Sequence, residues 1–384
     1  MFYQSWDINL KVSIDSRTIK PGEYFIPVQG THFNGRDFVS EVISKGGHVL
    51  DVDLETYAKS YRKKLTCKVI AIVGSAGKTT VKDMIAGVLA QRFTVVKTEE
   101  NNNNEFGVPL TVLAADADTD FLLVEMGMRK KNDLKYLTQI VQPDCIIFTG
   151  VGKTHIEFFK SQYHLALAKT EVFRSQLKWQ LSKRVCFLSG SSDYYDLVVA
   201  KADSVGYHLV TYTGDDKVSE NINLCYQLGS YYDISSACIE RGISTSSRSV
   251  HRMNHIQKNQ ILLIDDTYNS NPSGVLYAFQ YLARYDGRKI AVLGDMLELG
   301  SYSLKEHQAV GKLAVDYGID MLFLYGSEME AVSVTDIPVY HFNDKELLVS
   351  YLKDEIKMGD IVLLKGSRSL EMEDVVHQLD HVIS

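Results

Sequence analysis

Apolar residues along this chain gather in short runs separated by stretches of helical spacing. Val69, Ile70, Ile72 and Val73 make a β-branched run of the kind carried by a parallel strand buried on both faces. Phe121-Leu-Leu-Val-Glu125 and Cys145-Ile-Ile-Phe-Thr149 repeat it. Between them, Asn132-Asp-Leu-Lys-Tyr-Leu-Thr-Gln-Ile140 reads as a helix ending before Pro143. This alternation predicts an α/β fold: a parallel sheet with helices on both faces. The rhythm resumes in the last third, where Ile261-Leu-Leu-Ile264, Lys289-Ile-Ala-Val-Leu293, Met321-Leu-Phe-Leu-Tyr325 and Ile361-Val-Leu-Leu364 predict four short strands of a smaller α/β domain. In the first block, Lys20-Pro-Gly-Glu-Tyr-Phe-Ile-Pro-Val-Gln-Gly30 predicts a turn into a short strand. Phe38-Val-Ser-Glu-Val-Ile-Ser-Lys45 predicts a helix closed by Gly46-Gly47. Residues 189–249 read only as mixed strand and helix.

The first buried run leads straight into Gly74-Ser-Ala-Gly-Lys-Thr-Thr80, and that junction carries the chemistry. Gly74 and Gly77 let the backbone curl until successive N–H groups point at one anion. Lys78 offers a point charge for β/γ-phosphates and Thr79 a hydroxyl for Mg²⁺. A helix over residues 79–89 would aim its positive end at the same phosphates. Position 72 is Ile rather than Gly, so the match is to the shorter GxxGKTT form.

Other polar residues stand at strand ends, where ligands of open α/β sheets bind. Glu125 can hold Mg²⁺ beside the phosphate loop or cap a turn. His155, in Thr149-Gly-Val-Gly-Lys-Thr-His-Ile-Glu157, can be a ligand or a structural hydrogen-bonder. Lys169, in Ala166-Leu-Ala-Lys-Thr-Glu-Val-Phe173, reads by itself as a solvated helix lysine. Asp265-Asp-Thr-Tyr-Asn-Ser-Asn-Pro272 can cap a ligand or form an Asx turn. Phosphates and Mg²⁺ in one domain facing polar strand ends in another imply an ATP-driven reaction in a cleft.

Composition narrows the setting. The 384 residues suffice for two or three domains, and 45% apolar with 23% charged residues is ordinary for a globular chain. A net charge of −7 without a Lys/Arg-rich run argues against nucleic acid as a partner. Five dispersed cysteines without a CxxC pair form neither a disulfide framework nor a zinc pattern and fit a reducing compartment. Met1-Phe-Tyr-Gln-Ser-Trp-Asp7 lacks a basic and apolar leader, and no apolar run approaches the roughly 18 residues of a membrane span. The expected location is the cytoplasm, without a membrane partner.

Taken in order, Gly74-Ser-Ala-Gly-Lys-Thr-Thr80, Asn103-Asn-Glu-Phe-Gly-Val-Pro109, Glu125-Met-Gly127, His155 with Ala168-Lys-Thr-Glu171, Asp265-Asp-Thr-Tyr-Asn-Ser-Asn-Pro272, Leu293-Gly-Asp-Met-Leu-Glu-Leu-Gly300 and Lys365-Gly-Ser-Arg368 resemble the Mur ligases. The likeness is greatest to the MurF type, including its uridine-side motifs in Ser13-Ile-Asp-Ser-Arg17 and Gly30-Thr-His-Phe-Asn-Gly-Arg-Asp37. It covers residues 13 to about 380. It implies three domains: residues 1–66 for the UDP-linked substrate, 67–251 as a central P-loop, parallel-sheet ATPase, and 252–384 as a Rossmann-like C-terminal ligase domain. It also implies a monomer that uses ATP and Mg²⁺ to join D-Ala-D-Ala to a UDP-linked muropeptide, through an acyl phosphate, in peptidoglycan precursor synthesis.

The resemblance also assigns residues. Gly74, Ser75, Ala76, Gly77, Lys78, Thr79, Thr80, Arg252, Asp266, Tyr268 and Asn269 would bind ATP. Ser16, Arg17 and Asn104 would meet the UDP-linked substrate. Thr79 and Glu125 would hold one Mg²⁺, His155 and a carbamylated Lys169 a second, and Lys78, His155 and Lys169 would be catalytic. Some positions depart from the family pattern. Gly150 stands where a polar side chain is usual, and Arg36 where His is usual. The GRHN-like helix start corresponds to Gly229-Ser-Tyr-Tyr-Asp233, and residues 205–231 form a shorter stretch than the family's. These departures leave two alternatives: a related ligase with another carboxylate and amine pair, or a non-catalytic nucleotide-binding relative.

Overall fold

The strand Lys68–Val73 lies third in a six-stranded parallel sheet, beside Phe121–Glu125 on one edge and Cys145–Phe148 on the other. Val95–Lys97 flanks the first neighbour; Val185–Ser189 and His208–Tyr212 extend the sheet beyond the second. This computed structural model describes residues 10–30, 33–174, 184–246 and 251–382. The leader reading at residues 1–7, and Thr31 and His32 of the uridine-side motif, lie outside the described residues.

Alternation along Lys68–Val73 explains the layers. Val69, Ala71 and Val73 pack into one core with Leu134, Leu137 and Ile140, while Ile70 and Ile72 pack into another with Val81, Ile85 and Leu89. Both faces are therefore covered, and each Val or Ile removed from water contributes about 1.5–3 kcal/mol. The chain leaves this strand first towards one edge and later towards the other. The crevice at the strands' carboxyl ends thus opens beside the phosphate loop.

A second six-stranded sheet follows the same plan. Its order is Asn254–Lys258, Ile261–Asp266, Ile361–Lys365, Lys289–Gly294, Met321–Tyr325 and Val339–Phe342. The four central strands are those expected; the two edge strands were not. Asn254–Lys258 pairs antiparallel and alternates between exposed and half-buried positions, so it offers no apolar run to read. Val339–Phe342 has no fully buried residue. Backbone pairing to a neighbour, rather than side-chain burial, defines both edges. The first core cluster continues into this sheet through Ile264, Leu293, Val275 and Phe279.

The first block forms a small three-stranded parallel sheet, Val12–Ser13, Tyr24–Phe25 and His48–Val49, over a core of Ile19, Phe25 and Val42. Its helix Val39–Ser44 ends as expected, with Gly46 at φ +78° and the Gly47 N–H bonded to the Val42 carbonyl. The helix Leu54–Arg62 anchors the block to the central sheet. Its Arg62 guanidinium is largely buried and donates to the Val141 and Gln142 carbonyls at 2.8 and 3.0 Å.

The helix start expected at residues 229–233 differs from what the structure shows. Gly229, Ser230 and Tyr231 do not begin a helix; they end Lys217–Tyr231. That helix starts where Asp216 and Ser219 close a reciprocal capping box, and two N–H groups satisfied by side chains outweigh any start signal further on. Asp216 also takes two bonds from Arg284 of the second sheet's layer, at 2.7 and 2.8 Å.

Asp216→Ala is expected to destabilise the chain by about 1 kcal/mol through loss of the cap, with Asp216→Asn milder. Burial pushes the Asp216 carboxyl up, but Arg284 and the Ser219 N–H and hydroxyl outweigh it and hold the pKa at about 2. A free aspartate titrates near about 3.9, so this contribution is complete above that pH and lost as pH falls towards 2. Denaturant melts of parent and variants that diverge above pH 4 and converge in acid would show it.

Candidate active site

The phosphate loop is drawn tight by contacts to the loop after Cys145–Phe148. Gly74 sits at φ +148°, and a Cβ there would come within 2.0 Å of the Thr149 hydroxyl. That hydroxyl donates to the Ala76 carbonyl at 2.6 Å; the Ser75 N–H reaches the Gly150 carbonyl at 2.9 Å, and the Ser75 hydroxyl accepts the Gly152 N–H at 2.8 Å. Gly77, at φ +78°, caps the helix Lys78–Leu89, which therefore begins one residue earlier than expected. Thr80 also lines the cleft. Lys78 donates to the Gly74 and Ser75 carbonyls, with burial lowering its pKa against the pull of Glu125.

Glu125 ends its strand only 1% exposed. Its carboxylate accepts the Thr79 hydroxyl at 2.8 Å and the Asn103 amide at 2.9 Å. Lys82 Nζ stands 3.8 Å away, 1% exposed. Sequence reading missed Lys82; its signal was a lysine one helical turn after Thr79, on the same face. Thr79 and Glu125 together present buried hard oxygens, the donor set a divalent cation such as Mg²⁺ prefers.

Lys169 is not the solvated lysine its local sequence suggested. It is 1% exposed and donates to the Gly74 carbonyl at 3.2 Å, behind the phosphate loop. Burial, then the charge of Lys78, lowers its pKa far below that of a free lysine. A neutral, buried amine is the form that adds CO₂, and a carbamate would turn this cation into an anionic oxygen ligand. His155 stands at φ +64°, with burial lowering its pKa against the opposing pull of Glu298. Its Nδ1 pairs with the Glu298 carboxylate. Among the described residues no three His, Cys, Asp or Glu side chains cluster as a metal site. A cation at Thr79 and Glu125, or one at His155, therefore needs phosphate, water or a modified Lys169 to complete its shell.

The opposite wall comes from the second sheet. The Arg252 guanidinium lies 4.1 Å from the Tyr268 ring centroid and that of Arg368 6.0 Å. Asp266 is paired with Lys365 at 2.5 Å, and Lys365 also donates to the Asn269 carbonyl at 2.8 Å. Asn271 caps the helix Pro272–Leu282 through the Gly274 N–H at 2.9 Å, so the Asx reading holds at that residue. Both walls line one cleft of about 1550 Å³.

Asn104 borders this cleft, but its side-chain oxygen takes the Phe106 and Gly107 N–H groups. Ser16 and Arg17 are not part of it. Ser16 donates to Glu41 at 3.2 Å, and Arg17 folds onto Asp15 at 2.7 Å.

The family model of the Mur ligase middle domain matches residues 72–245, and that of the Mur ligase, glutamate ligase domain, matches residues 251–368. A relative from Buchnera aphidicola (subsp. Acyrthosiphon pisum), named UDP-N-acetylmuramoyl-tripeptide–D-alanyl-D-alanine ligase, is 30% identical over 96% of this chain and 93% of its own. The chain belongs to the Mur ligase family. The Bacillus subtilis protein of the same name is 28% identical over 96% of this chain and 92% of its own. In fold, the chain resembles MurF from Acinetobacter baumannii at a TM-score of 0.83, with 24% identity and coverage of 97% and 93%. MurF from Thermotoga maritima, solved with ADP, gives 0.81 at 22% identity, covering 98% of each chain. These matches carry the three-domain Mur ligase architecture across the described residues.

If a carbamate forms on Lys169, Lys169→Ala should be nearly inactive and partly rescued by a short carboxylic acid. Lys169→Glu should keep more activity than Lys169→Arg, because only it places an anionic oxygen behind the loop. Equal, near-normal rates in all three variants would exclude the carbamate.

Proposed function

We propose that this chain is an ATP-dependent, ADP-forming ligase that joins D-Ala-D-Ala to a UDP-N-acetylmuramoyl tripeptide in peptidoglycan precursor synthesis. The observation that carries the reading is one cleft with two unlike walls. A phosphate loop with buried Thr79 and Glu125 faces a cationic and aromatic wall from the C-terminal sheet. Relatives bearing the ligase's name align over more than nine-tenths of both chains, in support of the same substrates.

A carboxylate is a poor acyl donor because amide formation would expel oxide. In the proposed reaction, a carboxylate oxygen of the UDP-linked acid attacks the γ-phosphorus of ATP and ADP leaves. The amine of the dipeptide then attacks the carbonyl carbon of the acyl phosphate. The tetrahedral intermediate loses phosphate, and the nitrogen loses its proton. Two anions must meet in the first step, so charge neutralisation and alignment dominate the barrier.

The residues fit that need. The loop amides and Lys78 would take the phosphates, and Arg252 with Tyr268, Asp266 and Asn269 would close over the nucleotide from the other wall. Thr79, Glu125, His155 and a carbamylated Lys169 would hold Mg²⁺, which when bound draws charge from the transferring phosphoryl group. Ser16, Arg17 and Asn104 would approach the UDP-linked substrate. Among the described residues no helix is long and apolar enough to cross a membrane, and all five cysteines are free. We place the enzyme in the cytoplasm as a monomer. The intact Thr79–Glu125 pair and the buried Lys169 favour a working ligase over a non-catalytic relative.

Phosphate release is expected only when ATP, Mg²⁺, the UDP-linked tripeptide and D-Ala-D-Ala are all present. Release with other acids or amines alone would overturn the substrate assignment. Lys78→Ala should lower kcat by about 10²–10³, the usual cost of losing one charge-stabilising contact. A rate within twofold of the parent would remove residues 74–80 as the ATP site.

A further inference from the structure

The His155–Glu298 pair crosses from the central sheet's loop to the C-terminal sheet's loop, and the reading above gives Glu298 no role. Glu298 follows the strand Lys289–Gly294, in the segment leading to the short 3₁₀ turn Gly300–Tyr302. Both partners hold left-handed backbones, His155 at φ +64° and Glu298 at φ +62°. Such strain in a residue with a side chain persists only where surrounding contacts over-determine it. Those contacts are present. The Glu157 N–H points to the Glu298 carbonyl at 3.5 Å, and Lys153 is paired with Glu306 at 2.5 Å. Gly300, at φ +52°, lies so close that a Cβ there would stand 3.0 Å from Glu157 Cβ.

The chemistry of the pair is directional. An ionised carboxylate only accepts hydrogen bonds, so Nδ1 of a neutral His155 must carry the proton. The remaining nitrogen, Nε2, is then a lone-pair donor in a ring whose rotation is fixed. That is the arrangement by which a carboxylate behind an imidazole orients it and raises its basicity towards a cation. Here the carboxylate comes from the other domain. We infer that Glu298 is a positioning residue that reaches across the cleft to orient His155, so that the metal-binding imidazole is correctly presented only when the C-terminal domain is seated. This rests on His155 being a magnesium ligand, as proposed above. It couples presence of the amine-carrying domain to competence of the phosphoryl-transfer site, through one hydrogen bond.

The test is a Mn²⁺ titration followed by electron paramagnetic resonance, on the full chain with a non-hydrolysable ATP analogue. Glu298→Ala should weaken Mn²⁺ binding at the His155 site about 10-fold or more while the analogue's Kd moves less than twofold. Glu298→Gln, whose amide oxygen still accepts from Nδ1, should lose less. Turnover should show a lower kcat with an unchanged KM for ATP. Glu306→Ala removes the neighbouring cross-domain ion pair without touching His155, and should titrate like the parent. Superposable titrations of the parent and both Glu298 variants, with His155→Ala weakened, would overturn this inference alone. An unaltered titration of His155→Ala would overturn it together with the metal assignment. Equal weakening by Glu306→Ala and Glu298→Ala would also overturn it, because loss of domain contact would then be the cause.

Discussion

Glu125 is a carboxylate at the end of a strand buried on both faces, and burying such a charge is tolerable only if its oxygens are met by donors. The Thr79 hydroxyl, the Asn103 amide and the Lys82 ammonium meet that demand. Each comes from a different place: the start and second turn of the helix Lys78–Leu89, and the loop before Gly107–Leu113. The strand order makes this possible, because Phe121–Glu125 pairs directly with Lys68–Val73 and brings its last residue level with Ile72. Satisfying one buried anion thus ties the strand end to the helix that follows the phosphate loop.

The positive charges near the loop obey the opposite logic. Lys82 and Lys169 are withdrawn from water and Lys78 is half-buried, and burial lowers the pKa of each. Glu125 compensates Lys78 and Lys82, whereas among the described residues Lys169 donates to the Gly74 carbonyl and meets the repulsion of Lys78. A lysine in that position is under pressure to be neutral or to be modified. A triphosphate in the cleft would relieve the same imbalance, so the pocket's electrostatics and its proposed substrate agree.

Contacts between the two large sheets are polar at the cleft and apolar behind it. Arg284 meets Asp216, Lys153 meets Glu306 and His155 meets Glu298, while a shared hydrophobic cluster runs from Val73 to Ile264 and Leu293. Of these polar pairs, His155–Glu298 lines the cleft itself.

The sequence by itself determined the layers and the phosphate loop, because both are written in short-range patterns. A β-branched run, two glycines, a Lys-Thr-Thr and a helical period are local, and burial on both faces of Lys68–Val73 follows from its composition. The ordered motifs also determined the family. What lay beyond local pattern was decided only by tertiary structure. Lys169 reads as a surface lysine until the helix Gln162–Lys169 packs it behind Gly74. Asn254–Lys258 reads as no strand until Ile261–Asp266 offers its backbone edge. Asp216 and Ser219 cap a helix that the motif order placed further on, and Lys82 and Glu298 gain partners 43 and 143 residues away along the chain. In each case the deciding quantity is a burial or a pairing between distant segments, and neither is defined until the sheets have formed and fixed which segments meet.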